Sequence, residues 1–212
     1  MKSFSKWTVE EIELEFGLYS ERNTDGLREW LTVDKEINEA DRSRLQSLSH
    51  KLLARVHDWN EEELKIYFIS HLLDMVDFDQ GHYRPFLERD LAVEYEDGKE
   101  LSGTIDFVVA QGKQSPRNPY FLIKEYKRQQ DSSKDPLGQL LAELMAAQFL
   151  NGEQQQPIYG AYIVGRYWYF VLLDGKVYSE SLSYDATKED IFDIYHILDK
   201  VRSLIDKLVM QA

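Results

Sequence analysis

Two neighbouring stretches decide the fold: Gly103-Thr104-Ile105-Asp106-Phe107-Val108-Val109 and Tyr120-Phe121-Leu122-Ile123-Lys124-Glu125-Tyr126-Lys127. Each is a short apolar run rich in β-branched and aromatic residues, which predicts two strands buried in a sheet. Asp106 interrupts the first run, and charged residues end the second. A charge inside a buried strand is unfavourable unless it is paired or binds a metal ion. These charges therefore mark the candidate site of the chain.

The spacing of apolar residues on either side of these strands predicts the other helices and strands. A helical period covers residues 38–57, and a second helix follows Asn60, a good N-cap. A period of two predicts a strand near Phe86–Tyr95, before the two central strands. Downstream we expect a helix over residues 138–150, three further strands and a last helix capped by Thr187. This order predicts an α/β or α+β fold with a mixed sheet.

The chain has 212 residues, enough for one hydrophobic core of ordinary size. We expect residues 1–57 to form an N-terminal helical extension, whose first 35 residues make a small helical subregion. Residues 58–212 are then the α/β core, ending in a hairpin and a helix.

Composition excludes several classes of protein. There are 25 Lys and Arg against 38 Asp and Glu, a net charge of −13, which argues against coating nucleic acid through net charge alone. The absence of cysteine excludes disulfides, cysteine zinc sites and thiolate nucleophiles. The sequence has no glycine-rich phosphate loop, and its apolar runs are shorter than a bilayer span. We expect a soluble cytoplasmic protein.

The charges of the two central strands suit a cation site. Glu125 and Lys127 are two residues apart, so on a regular strand their side chains leave the same face. If Asp106 lies opposite them, two carboxylates and an ammonium converge, and carboxylate oxygens are ligands that Mg²⁺ prefers. A salt-bridged pair at the end of a sheet explains the same residues equally well. Periodicity alone does not choose between these two interpretations.

At these residues the chain resembles the PD-(D/E)XK nuclease superfamily, over roughly residues 58–185. That pattern is a helix carrying a Glu, three strands with Asp on the second and Glu-x-Lys on the third, then a helix and a further strand. Asp106 matches the Asp, Glu125 and Lys127 match the Glu-x-Lys, and Ile105 stands where many members have Pro. The resemblance implies a restriction-endonuclease-like fold, a mixed β-sheet flanked by helices. Segments such as Trp59-Asn60-Glu61 also resemble a set of uncharacterised bacterial proteins predicted to belong there.

The resemblance implies roles for these residues. Asp106 and Glu125 would hold Mg²⁺ or Mn²⁺ together with the backbone carbonyl of Tyr126, and Lys127 would orient or deprotonate the attacking water. The family's helical Glu matches Glu61, which shares the core-facing stripe of its helix, in preference to the adjacent residues 62 and 63. The alternative that all three acids only complement the helix dipole stays open.

Further candidates lie beside this set. Gln139, four residues before Glu143, occupies the helix position where related nucleases often place a Gln facing the site, although a polar helix face explains the pair equally well. Three basic residues could contact phosphates, although such a cluster is usually a solvated rim; they are Lys124, Arg128 and Lys134.

The resemblance therefore implies a Mg²⁺-dependent (or Mn²⁺-dependent) nuclease with DNA as the expected substrate, and it leaves a homodimer open because such nucleases often pair to cut two strands. Two other interpretations remain. The chain is a catalytically silent binding or regulatory module with the nuclease fold, or its acids and lysine form a structural salt-bridge network.

Overall fold

The computed structural model describes residues 2–32, 36–127, 135–152 and 156–211 of the chain. Its helices are α1 Val9–Phe16, α2 Asp25–Leu31, α3 Glu39–Arg55, α4 Glu61–Leu64, α5 Ser70–Val76, α6 Pro136–Asn151 and α7 Asp190–Gln211. A π-helical turn, Lys65–Ile69, joins α4 to α5 without a break. Its strands are β1 Tyr19–Ser20, β2 Arg84–Glu94, β3 Glu100–Gln111, β4 Arg117–Lys127, β5 Ile158–Val164, β6 Tyr167–Asp174, β7 Val177–Glu180 and β8 Tyr184–Asp185.

The strands form one mixed sheet in the order β1-β7-β6-β5-β4-β3-β2, and β8 also pairs with β6. Strands β2, β3 and β4 are an antiparallel meander. The chain then crosses through α6 to β5, which is parallel to β4. The predicted mixed sheet flanked by helices is therefore confirmed.

Helices cover both faces of the sheet, because the central strands are apolar on both sides. One face packs against helices α2–α5 and α7 and includes Phe107 and Phe170. The other face packs against α1 and α6 and includes Val108 and Val171. The alternation of neighbouring residues between two cores is the pattern of a sheet buried on both faces.

Residues 2–32 are built into this architecture. Strand β1 pairs in parallel with β7. Trp30 on α2 is fully buried, and its indole N–H donates to the carbonyl of Ile197 at 2.9 Å. The predicted helices of this segment are present, but β1 was not predicted. The division of the chain into an extension and a core stays a prediction.

Helix α6 is held against the N-terminal segment. The Asp135 carboxylate caps α6 by accepting from Gly138 N at 2.9 Å and also accepts from Val9 N at 2.8 Å. A Cβ at Gly138 would lie 2.5 Å from the carbonyl carbon of Thr8, so the two backbones meet where only glycine fits.

The prediction that Thr187 caps the last helix is wrong. Helix α7 begins three residues later, at Asp190. The Thr187 N–H and hydroxyl both donate to Asp185 Oδ1, at 3.0 and 2.6 Å. The threonine therefore stabilises the turn before α7. Within the described ranges, no helix combines the length and the apolar character needed to cross a membrane.

Candidate functional site

Asp106 lies where the pairing of β3 with β4 stops. The β3–β4 ladder runs from Gln111–Arg117 to Phe107–Lys124, whereas β4 continues beside β5 as far as Lys127. Two residues beyond Lys124, the N–H of Tyr126 on β4 donates to the Asp106 carboxylate oxygen Oδ2 at 3.1 Å. The Asp106 side chain thus accepts a bond that a backbone carbonyl would accept in a continuous ladder.

The pairing of β3 with β2 is irregular at the same level. Glu88, on β2, has φ +49°, a left-handed conformation that is rare for a residue with a side chain. The guanidinium of Arg89 donates to the Glu88 carbonyl at 3.2 Å. The pairs on either side of Glu88 are Leu87–Phe107 and Arg89–Ile105, and they bracket Asp106.

Both strands change phase at this point. Ile105 packs in the α1–α6 core, whereas Phe107, two residues further, packs in the core of the other face. On β2, Phe86 and Leu91 share one core although they are five residues apart, an odd spacing that regular alternation would split. Such irregularities recur beside active sites, where they redirect a side chain. Here the redirected residue is Asp106.

A third irregularity faces Asp106 from the helical layer. The helix that begins at Glu61 widens into the π-helical turn at Lys65, a local geometry frequent at functional sites. Asn60 caps this helix in a reciprocal capping box with Glu63, which fixes its first turn. Capping therefore accounts for Glu63 and leaves the other two acids of the turn available to Lys65.

Lys65 links the helix to the strand. Its Nζ lies 3.1 Å from Asp106 Oδ1, 3.2 Å from Glu61 Oε1 and 3.3 Å from Glu62 Oε1. The side chains of Lys65 and Asp106 are each 17% exposed, and that of Glu62 is 65% exposed. We call these four residues the Lys65 cluster. It holds three carboxylates around one ammonium at the rim of the sheet.

The electrostatics of the cluster keep its lysine charged. Burial on its own would lower the pKa of Lys65, but the charge and hydrogen bond of Asp106, followed by those of Glu61, outweigh it. The net result is a pKa above the ordinary lysine value. The ammonium therefore persists at neutral pH and neutralises part of the carboxylate charge.

The strand positions predicted for the site are adjacent in the sheet. Glu125 pairs with Tyr162 and Lys127 with Val164 on β5, and the Tyr126 N–H contacts Asp106. The Tyr126 side chain is buried, with the Lys65 ammonium 5.6 Å from its ring centroid. The side chains of Glu125 and Lys127 lie outside the described part of the structure, so their convergence with Asp106 stays a prediction.

Gln139 lies in a different layer from the Lys65 cluster. It is buried on α6, and its amide Nε2 donates to Glu143 Oε1 at 3.0 Å. Among the described residues, its other side-chain atom, Oε1, has no hydrogen-bond partner. Since α6 covers the face of the sheet opposite to α4, Gln139 and Glu61 approach the sheet from opposite sides.

The predicted phosphate contacts fall largely outside the described residues. Arg128 and Lys134 both lie there, and Lys124 is placed only by its backbone, opposite Phe107 on β3. Among the residues that are described, no three His, Cys, Asp or Glu side chains form a group able to hold a metal ion. Neither the models of known protein families nor the curated proteins give a significant match to this chain.

Lys65 is the member of this site that sequence reasoning missed. A usable signal was present, because Glu61 and Lys65 are four residues apart and neighbour each other on a helix surface. The spacing predicts an ordinary surface ion pair. The spacing does not reveal the third partner, Asp106, which is 41 residues away in the chain.

Proposed function

We propose that this protein is a divalent-metal-dependent nuclease that hydrolyses phosphodiester bonds, with DNA as its substrate. The observation that supports this proposal most directly is the placement of Asp106. It is the acid at which β3 separates from β4, it faces the helix that carries Glu61, and it lies beside the strand end that carries Glu125 and Lys127. The order helix, three antiparallel strands, helix and parallel strand also agrees with the superfamily pattern.

The donor atoms present are suited to a hard cation. Asp106 and Glu61 contribute carboxylate oxygens that already surround one positive charge, and Glu125 would add a third. We assign Asp106, Glu125 and the backbone carbonyl of Tyr126 to the cation, with Glu61 as an outer carboxylate. When bound, the cation lowers the pKa of a water molecule and stabilises charge on the scissile phosphate.

The remaining roles, in activating water, positioning groups and attracting phosphate, are assigned to side chains of the protein. Lys127 is assigned to orient the attacking water and to accept its proton or offset the charge that develops. Gln139 is buried on α6, its Oε1 has no hydrogen-bond partner among the described residues, and it is assigned to position groups at the strand end from the second face. Lys124, Arg128 and Lys134 are the basic residues that would attract phosphate to a protein of net charge −13.

A silent module with the same fold is the second candidate, and Lys65 is the observation that favours it. The ammonium already occupies and partly neutralises the carboxylates that a cation would need. A protein that uses this cluster only to hold α4 against β3 would need neither metal nor substrate.

Cleavage assays separate the two candidates. Supercoiled, linear duplex and single-stranded DNA, together with RNA, are incubated with the protein and Mg²⁺ or Mn²⁺. We expect cleavage by the wild type and its loss in Asp106→Ala and Lys127→Ala. Asp90→Ala is the matched control, because Asp90 lies on β2 and its carboxylate accepts from the exposed hydroxyl of Thr104 at 2.6 Å. Metal-independent products, or equal activity in Asp106→Ala, would refute the nuclease proposal.

Binding is tested separately from cleavage. Fluorescence anisotropy of a labelled duplex in the Asp106→Ala background, with Ca²⁺ present, should give weak binding with a shallow log–log salt slope of about −2 to −4, because few phosphates are contacted. Reversing Arg128 and Lys134 to Glu should weaken binding more than reversing Arg42 and Arg55 on α3. No binding in the presence of Ca²⁺ would favour the silent module.

A further inference from the structure

Lys65 occupies the place where the acids of the candidate site need a positive charge. Its ammonium contacts oxygens of Asp106 and Glu61 at 3.1 and 3.2 Å. Asp106 uses its other oxygen to accept the Tyr126 N–H, so both oxygens of this carboxylate are already engaged. Lys65 therefore already supplies one positive charge to these carboxylates, where a bound cation would supply two.

An ammonium and a divalent cation cannot share these oxygens in the same way. Oxygen ligands lie about 2.0–2.6 Å from Mg²⁺ or Ca²⁺, closer than the N–O distances around Lys65. A divalent ion drawn between Asp106 and Glu61 would therefore enter the volume of the ammonium. Like charges at such a separation also repel in a partly buried site.

We propose that Lys65 is a built-in counter-ion that competes with the divalent cation for Asp106 and Glu61. The inference rests on the proposed metal-dependent function. In metal-free protein the Lys65 ammonium offsets part of the charge of the two carboxylates, and metal binding displaces it from them. Lys65 has a short path away from Asp106, because it stays beside Glu62, whose side chain is 65% exposed.

The competition predicts a measurable change in metal affinity when the ammonium is removed. The affinity of a ligand falls in proportion to the fraction of protein competent to bind it. If the lysine-paired state holds about nine tenths of the protein, removing the ammonium raises the metal affinity about tenfold. The Lys65→Met variant keeps an unbranched side chain, one atom shorter, and removes the ammonium with its charge and its hydrogen bonds.

Isothermal titration with Mg²⁺ and with Mn²⁺ measures this change in the wild type and in Lys65→Met. Lys6→Met is the matched control, since Lys6 is an exposed lysine of the N-terminal 3₁₀ turn. We expect affinity about tenfold tighter in Lys65→Met and unchanged in Lys6→Met. Asp106→Asn should abolish the titration in either background.

A second measurement uses the wild type and does not depend on how the variant folds. Reductive methylation followed by mass spectrometry reports how exposed each lysine amine is. Lys65 should react slowly in metal-free buffer and faster with saturating Mg²⁺, while Lys6 stays constant.

The outcomes separate this inference from the function on which it rests. Metal binding with equal or weaker affinity in Lys65→Met, and no change in Lys65 methylation, would overturn the competition and leave the nuclease proposal intact. No heat of binding from either protein would overturn both.

Discussion

Replacing Asp106 should destabilise the protein in metal-free buffer. The Asp106 carboxylate accepts from Lys65 Nζ and from Tyr126 N, both at 3.1 Å, and its side chain is only 17% exposed. Asp106→Asn removes the charge and keeps an oxygen able to accept the Tyr126 N–H. Asp106→Ala removes both interactions, so the two variants divide the effect into its parts.

The loss of the Lys65 ion pair and the loss of the Tyr126 hydrogen bond each have a cost in unfolding free energy. Breaking a buried ion pair costs about 3–5 kcal/mol and an exposed pair at most about 1 kcal/mol. Lys65 is partly buried and keeps Glu61 and Glu62, so we expect about 1–2 kcal/mol for Asp106→Asn. The Tyr126 N–H also loses its side-chain acceptor in Asp106→Ala, which adds about 1–2 kcal/mol. The alanine variant should therefore lose about 2–4 kcal/mol.

Urea unfolding in EDTA, followed by tryptophan fluorescence, measures both free energies of unfolding. A protein of this length loses about 2–4 °C of melting temperature per kcal/mol, so the same order should appear in thermal melts. Asp90→Ala serves as the control and should change the free energy by less than about 0.5 kcal/mol, because its only described bond is exposed.

Two results would refute this reasoning. An Asp106→Ala protein as stable as the wild type would show that Lys65 and Asp106 are not paired in solution. Equal losses in the asparagine and alanine variants would show that the Tyr126 hydrogen bond contributes nothing.

Three further predictions concern the fold. Trp30→Phe should cost about 2–3 kcal/mol in urea unfolding, because it leaves a cavity and removes the donor to the Ile197 carbonyl; an unchanged midpoint would contradict this packing. Gly138→Ala should lower the melting temperature, since its Cβ would lie 2.5 Å from the backbone before α1, and a neutral result would exclude that contact. The hydrogen bond to Lys2 is the main cause that lowers the pKa of Glu11 from 4.5 to about 2, so its stabilising effect is present above pH 4.5 and is lost as pH falls toward 2. The difference in unfolding free energy between the wild type and Glu11→Gln should shrink over that range; a constant difference would show that the Glu11 carboxylate is not the cause.

Local sequence patterns predicted the elements well. Asn60 caps its helix as expected, and the helix predicted over residues 38–57 runs from Glu39 to Arg55 and buries Leu45 and Leu52. The three strands before α6 lie where the period of two placed them, with shifts of a few residues at their ends. These features depend on residues within one or two turns of each other, which is why the sequence alone determined them.

The tertiary structure decided how these elements meet. Strand β1 joins the sheet through β7, more than 150 residues later, and nothing in a two-residue strand signals that partner. The left-handed Glu88 and the end of the β3–β4 ladder are likewise consequences of pairing.

For the candidate site, the chain's pattern singled out Asp106 as a charge that needs a partner, and the structure identified that partner as Lys65. A carboxylate within an apolar strand needs a nearby positive charge, but the sequence does not specify which group supplies it. A metal ion, Lys127 or a helical lysine could each meet it. Only the packing of the π-helical turn after α4 against β3 placed the Lys65 ammonium 3.1 Å from Asp106, because a distance between residues 41 apart in the chain is set by the fold.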